Sequence, residues 1–120
     1  MFEIDDEDWE AVKARVRDDL VAAARRGTPI YYSDITNRIR EFDGPHSRAL
    51  AWMLGEISQE SWAAEGVMLS AFAYLKHQHV PGTGFFDLAE KLVPGFPEDE
   101  IGRLTWWGRH VETIRQRYNQ

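Results

Sequence analysis

His77 and His79 stand two residues apart in "LSAFAYLKHQHVPGTGFF", residues 69–86, a stretch that joins an apolar run, a histidine pair, two glycines and paired phenylalanines. On an extended chain the two imidazoles face the same way and could share a metal ion or a phosphate. A catalytic zinc takes three protein ligands, however, and His46 and His110 fall elsewhere in a chain that has no cysteine. No metal or other cofactor is therefore expected, and the pair reads as exposed turn histidines. Ser70 would need a histidine, an acid and a sharp glycine-flanked turn to act as a nucleophile. It lies inside an apolar run instead, so a buried, backbone-bonded serine is expected. Glu56 and Glu60 share one helix face, a spacing that describes a solvated surface as well as a carboxylate pair for acid–base work. "PGTGFF" lacks the lysine of a phosphate-binding loop and reads as a turn, with Pro81, Gly82 and Gly84 shaping the backbone and Phe85 and Phe86 anchoring the next helix.

The elements that must position these residues can be read from hydrophobic spacing. Trp9, Val12, Val16, Leu20 and Ala23 predict an amphipathic helix over Asp6–Arg26, ended by Gly27 and Pro29. Its acids crowd the first turn and Arg25 and Arg26 the last, which suits the helix dipole. Ile30 to Tyr32 suit a short strand, and Ser33 suits the cap of a second helix that turns Ile35, Ile39 and Phe42 inward. Gly44 and Pro45 stop that helix. Ser47 then caps a third, with Leu50, Met53, Leu54 and Ile57 facing the core and Gly66 closing the unit. "GVMLSAFAYLK" predicts a well-buried strand, "HVPGTG" a turn, and "FFDLAEKLV" a short fourth helix. In the last helix Pro97 suits the first position, and Ile101, Leu104, Gly108, Val111, Ile114 and Tyr118 form the apolar stripe. This order predicts one domain over residues 1–120, of mostly helical α+β class, with about five helices and a two- or three-stranded sheet in a winged-helix-like arrangement.

Composition narrows the function classes. With 43% hydrophobic and 28% charged residues the chain has an ordinary globular make-up, and its longest apolar run is too short to cross a bilayer. An acidic N-terminus and the absence of cysteine point to the cytoplasm. The net charge of −6 is concentrated at the start: residues 1–24 hold eight acids and three bases, residues 25–80 six of each, and residues 81–120 six acids and five bases. No segment has the basic excess on which nonspecific nucleic-acid binding draws. Five tryptophans include the adjacent Trp106 and Trp107, which one helix face cannot both bury, and Trp52 and Trp62 raise the same question. Exposed aromatics near Arg103 and Arg109 would suit a protein interface or a platform for stacked bases, which makes Trp106 a candidate contact.

Over residues about 28 to 86 the chain resembles the winged-helix DNA-binding domain of alkylguanine DNA alkyltransferases and their alkyltransferase-like relatives. "YSDIT" at Tyr32–Thr36 is similar to the tyrosine-bearing helix start of that family, and "SRAL" at Ser47–Leu50 to its arginine-bearing helix start. "MLSAF" stands where the family has a Pro-Cys-His-Arg strand, and "PGTGF" where it has a glycine-containing loop. The resemblance implies that Tyr32 presses on a phosphate or helps to rotate a nucleotide, and that Arg48 enters the base stack. Ser70, Ala71 and Phe72 replace the cysteine, histidine and arginine, so alkyl transfer to a thiolate is excluded. The combination of "LSA" with "PGTGFF" also resembles small bacterial proteins of plasmids and prophages.

Two function classes emerge. The first is a non-enzymatic binding protein that engages nucleic acid, or a nucleic-acid-processing protein, through Tyr32, Arg48, Lys76, His77, His79, Gly82, Gly84, Phe85 and Trp106. The second is a protein-interaction module, such as an antitoxin, immunity factor or anti-defence inhibitor, which the acidic balance favours. No complete catalytic constellation supports a third, a small nuclease or hydrolase using Ser70, Glu56 or the histidines. A nucleic-acid binder should lose affinity with added salt and on Arg48→Ala, whereas a protein-binding module should tolerate that substitution and fail on loss of an exposed tryptophan; fluorescence anisotropy with labelled DNA and RNA separates the two.

Overall fold

The computed structural model describes residues 2 to 119. Along them run helix α1 (Asp6–Arg26), strand β1 (Ile30–Tyr31), α2 (Tyr32–Arg38), α3 (Arg48–Glu65), a 3-10 turn at Leu69–Phe72, β2 (Ala73–Tyr74), α4 (Thr83–Leu92) and α5 (Glu100–Tyr118). The architecture is α+β and mostly helical, with β1 and β2 paired in parallel so that Ile30 faces Ala73 and Tyr31 faces Tyr74. Among the described residues no helix is long and apolar enough to cross a membrane.

α1 forms where its spacing places it and buries Val12, Val16, Leu20 and Ala23. Gly27 ends it at φ 73°, a left-handed conformation that costs glycine little, and Thr28 N–H returns to the Ala23 carbonyl at 3.2 Å. The Gly27 carbonyl in turn accepts from Arg115 Nε at 2.8 Å, tying the end of α1 to the end of α5. α3 starts at Ser47, whose Oγ accepts from Leu50 N–H at 3.2 Å while donating to Glu3, and it buries Leu50, Met53, Leu54 and Ile57. Its last residue, Glu65, is engaged by Arg117 and by the Tyr118 hydroxyl.

Four differences from the sequence expectation have physical causes. The run from Val67 to Phe72 is buried, but Leu69–Phe72 forms a 3-10 turn and only Ala73 and Tyr74 are left to make strand. Its backbone finds its partners in side chains and not in a ladder. Met68 N–H donates to His110 Nε2 at 2.9 Å, Leu69 N–H to Ser61 Oγ at 3.2 Å, and Ser70 N–H to Ser58 Oγ at 3.0 Å. α2 starts one residue before the expected cap: Ser33 lies inside the helix, and Asp34 reaches back to accept from Tyr31 N–H at 3.2 Å. α5 starts at Glu100 and not at Pro97, because Asp99 caps it by accepting from Gly102 N–H at 2.8 Å. Finally, the first turns of α5 project past the core, so Ile101 is 78% exposed and Leu104 lies at the surface, while His110, Val111 and Ile114 are buried.

The α1–α3 seam carries a charged knot among apolar neighbours. Lys13, 5% exposed, points its Nζ at Glu60 (2.8 Å), Glu10 (3.1 Å) and Glu56 (3.4 Å), and Arg17 also engages Glu60. Burial alone would lower the lysine pKa, but the three carboxylates outweigh it and hold the ammonium well above its ordinary value. Trp9 Nε1 adds a 2.7 Å bond to Glu56. Lys13→Ala should destabilise the fold by about 2 kcal/mol, since it removes both the buried stem and the countercharge, and Lys13→Met, which keeps the stem, should cost less. Urea denaturation of the two variants checks the order; equal losses would mean that packing carries nothing at this position.

Candidate functional site

A cleft of about 720 Å³ opens between α3, the segment joining β2 to α4, the first turns of α4 and the start of α5. Leu50 and Leu54 of α3 supply its floor, with Ala51 and Gly55 beside them. Leu75, Val80 and Pro81 form one wall, and Phe85, Phe86 and Leu104 another. Asp87, Glu98 and Glu100, all exposed, stand on its lip. Its size suits a small ligand or a few side chains of a partner.

Sequence and packing explain how the walls are held. Tyr32 opens α2 directly after β1, and its hydroxyl accepts from Gly82 N–H at 2.9 Å across 50 residues of chain. Burial raises the tyrosine pKa above its ordinary value. A Cβ at Gly82 would lie 3.4 Å from that hydroxyl, an ordinary contact, so the backbone hydrogen bond is what ties this position to Tyr32. Between β2 and α4 the chain makes a tight reversal: Leu75 N–H donates to the Val80 carbonyl at 2.9 Å, and Lys76–His79 form the tip.

The residues singled out by sequence divide into those gathered at the cleft and those outside it. Tyr32, Gly82, Gly84 and Phe85 line it together, with Gln78 from the turn. Lys76 and His77 are exposed on the turn beside it. His79 adopts φ 56° and sets its ring edge-on to Tyr31 and Tyr74, at 5.9 and 6.5 Å, on the side of the sheet. Arg48, exposed in the first turn of α3, borders a separate shallow hollow with Phe2, Glu3 and Asp43. Trp106 is no open platform. It is half-buried, 5.1 Å from Phe96 and stacked on His110 at 4.5 Å, while Trp107 donates to the Ala71 carbonyl at 2.9 Å. Trp52 is the exposed tryptophan, at 61%, and it leans on Phe2 with its Nε1 directed at Glu56.

The catalytic candidates are occupied by structural duties. Ser70 lines the cleft but is buried, with its Oγ 2.5 Å from Ser58 Oγ. Glu56 and Glu60 are neutralised by Lys13 and Arg17, and hydrogen bonds and the lysine charge outweigh burial to hold Glu56 below the usual carboxylate range. Among the described residues no group of three or more histidine, aspartate or glutamate side chains is placed to hold a metal ion. Arg103 is similarly committed: its Nε donates to the Pro97 carbonyl at 3.0 Å, its guanidinium lies over Phe96, and it pairs with Glu90 at 3.3 Å. The charged residues lining the cleft are therefore three acids against one base whose charge is already engaged.

Sequence reasoning passed over Leu50, Leu54 and Leu104 as cleft residues, because an apolar residue at helical spacing reads as core. Gly55 was the legible signal. A glycine inside a helix costs about 1 kcal/mol relative to alanine, and at this one a Cβ would meet nothing within 4 Å, so the fold does not require it.

His110 gives the fold a pH dependence of its own. Burial, assisted by the charge of Arg117, lowers its pKa to about 4 from an ordinary 6.5. Below pH 6.5 the unfolded chain takes up a proton that the folded one refuses, so stability present above pH 6.5 falls as the pH drops toward 4, by roughly 3 kcal/mol in all. Urea midpoints measured from pH 7.5 to pH 4 should show this slope, and His110→Gln, which does not titrate, should flatten it; an unchanged slope would assign the loss to other groups. Comparison of the chain with protein-family models, with curated proteins and with solved structures finds no match.

Proposed function

We propose that this chain is a protein-interaction module whose cleft takes up an apolar segment of a partner protein. The observation that carries the reading is the pair Gly55 and Gly84. Both line the cleft from within helices, both would accept a Cβ without meeting any atom within 4 Å, and neither has a positive φ. Helical glycines that the fold does not demand lower its stability, and here their effect is to keep the floor and one wall of an apolar cleft open. Leu104 at the lip and Phe86 in the wall add apolar surface that water would otherwise cover, which favours burial against a partner.

The electrostatics favour this reading over nucleic acid. Phosphates would meet Asp87, Glu98 and Glu100 at the lip, while Arg48 points to solvent outside the cleft. Tyr32, the residue suited to pressing on a nucleotide, has its hydroxyl engaged by Gly82.

Blocking the cleft tests the reading. Panning a displayed library of random 12-residue peptides should enrich binders on the natural protein and none on Gly84→Trp, which sets an indole in the open space at the cleft wall. An unchanged urea midpoint shows that the variant folds, and Gly55→Ala should raise the unfolding free energy by about 1 kcal/mol. No enrichment, or enrichment that survives Gly84→Trp, would overturn the reading. Salt-sensitive binding of labelled DNA or RNA, lost in Gly84→Trp, would move the cleft to the nucleic-acid class.

A further inference from the structure

We infer that the segment taken up by the cleft is basic, with lysine or arginine flanking its apolar side chains; this rests on the reading of the cleft as a protein-docking site. Charge complementarity at a defined edge supports it. Asp87 in the first turns of α4, Glu98 before the α5 cap and Glu100 at the α5 start stand on the lip, and none of the three makes an ion pair within the described residues. The one guanidinium in the lining, that of Arg103, is held by Glu90, the Pro97 carbonyl and the Phe96 ring. The carboxylates of the α1–α3 seam differ in this respect, since Glu10, Glu56 and Glu60 are paired with Lys13 and Arg17. The lip therefore presents uncompensated negative charge around an apolar interior.

A segment that only matched the interior would bring three carboxylates toward a desolvated edge without a countercharge. One that carries cations at its flanks relieves that repulsion and is steered toward the cleft as it approaches. An acidic segment is rejected by the same groups, so the lip supplies selectivity as well as attraction. Each exposed pair is weak alone, and three acting together on one short segment amount to about a tenfold effect in affinity.

The composition of the peptides recovered by panning on the natural protein provides the first test. Expected is an apolar centre with lysine or arginine on one or both flanks. The tightest peptide is then synthesised with its basic residues kept, replaced by serine, or replaced by glutamate, and labelled with fluorescein. The basic form should bind about tenfold more tightly than the serine form, should lose most of that advantage between about 50 and 500 mM salt, and should lose it in the triple variant Asp87→Asn, Glu98→Gln, Glu100→Gln. The serine form should bind the natural and triple variants alike. A pool without basic enrichment, or serine and glutamate forms that bind as well as the basic one, would overturn the inference while leaving the docking reading intact. Failure to recover any peptide dependent on the open cleft would overturn both.

Discussion

A buried stretch of backbone whose first amides are satisfied by side chains of two helices is the constraint on which the rest of this structure depends. Val67 to Ala73 runs through the interior, and each N–H that it cannot pair costs on the order of 1–3 kcal/mol. Four consecutive amides are accounted for one by one. Met68 donates to His110, Leu69 to Ser61, Ser70 to Ser58, and Ala71 to the Met68 carbonyl at 3.0 Å. The Ala71 carbonyl accepts from Trp107. Two serines of α3 and two aromatics of α5 thus fix both helices against the same segment, and a slip of either along its axis would strand several polar groups at once.

That anchor in turn sets the cleft. The segment leads directly into β2, whose pairing with β1 brings Tyr32 beside Gly82 and so sets where the loop before α4 can lie. α4 then rests against α3 with Phe85 and Phe86 forming one wall, and the start of α5 closes the far side with Leu104 and its acidic lip. Rigid parts and open parts are distinct. The Tyr32 hydroxyl holds the Gly82 amide in place, whereas Gly55 and Gly84 face empty space. The polar interior groups that resemble catalytic ones serve the anchor instead: Ser70 completes it, His110 stays neutral to accept a hydrogen bond, and the carboxylates of α3 pin α1 through Lys13.

The sequence was most informative where periodicity and punctuation agree. α1 was legible to the residue, from its spacing, its acidic first turn and Gly27, and α3 was legible from the Ser47 cap to Gly66. The buried run at residues 67–72 was not, because a short apolar stretch has no period that separates a strand from a buried turn, and its partners lie 8 to 42 residues away with no local mark. The stripe of α5 misled for a related reason: apolar residues at helical spacing indicate one face, but not how far along the helix the core extends, and Ile101 lies beyond it. Half of the cleft was legible in "PGTGFF" as a glycine-shaped segment with an aromatic anchor. The other half required knowing that α3 turns Gly55 toward it.

Amide hydrogen exchange under native conditions, read residue by residue for Met68, Leu69 and Ser70, tests the anchor most directly. If side chains of α3 and α5 hold this segment as described, the three amides should exchange only with global unfolding, alongside the core of α3, and Ser58→Ala should speed Ser70 before it speeds the others. Exchange as fast as that of the exposed turn at Lys76–His79 would contradict the account, because it would mean that the segment opens freely and cannot be what fixes the helices and the cleft between them.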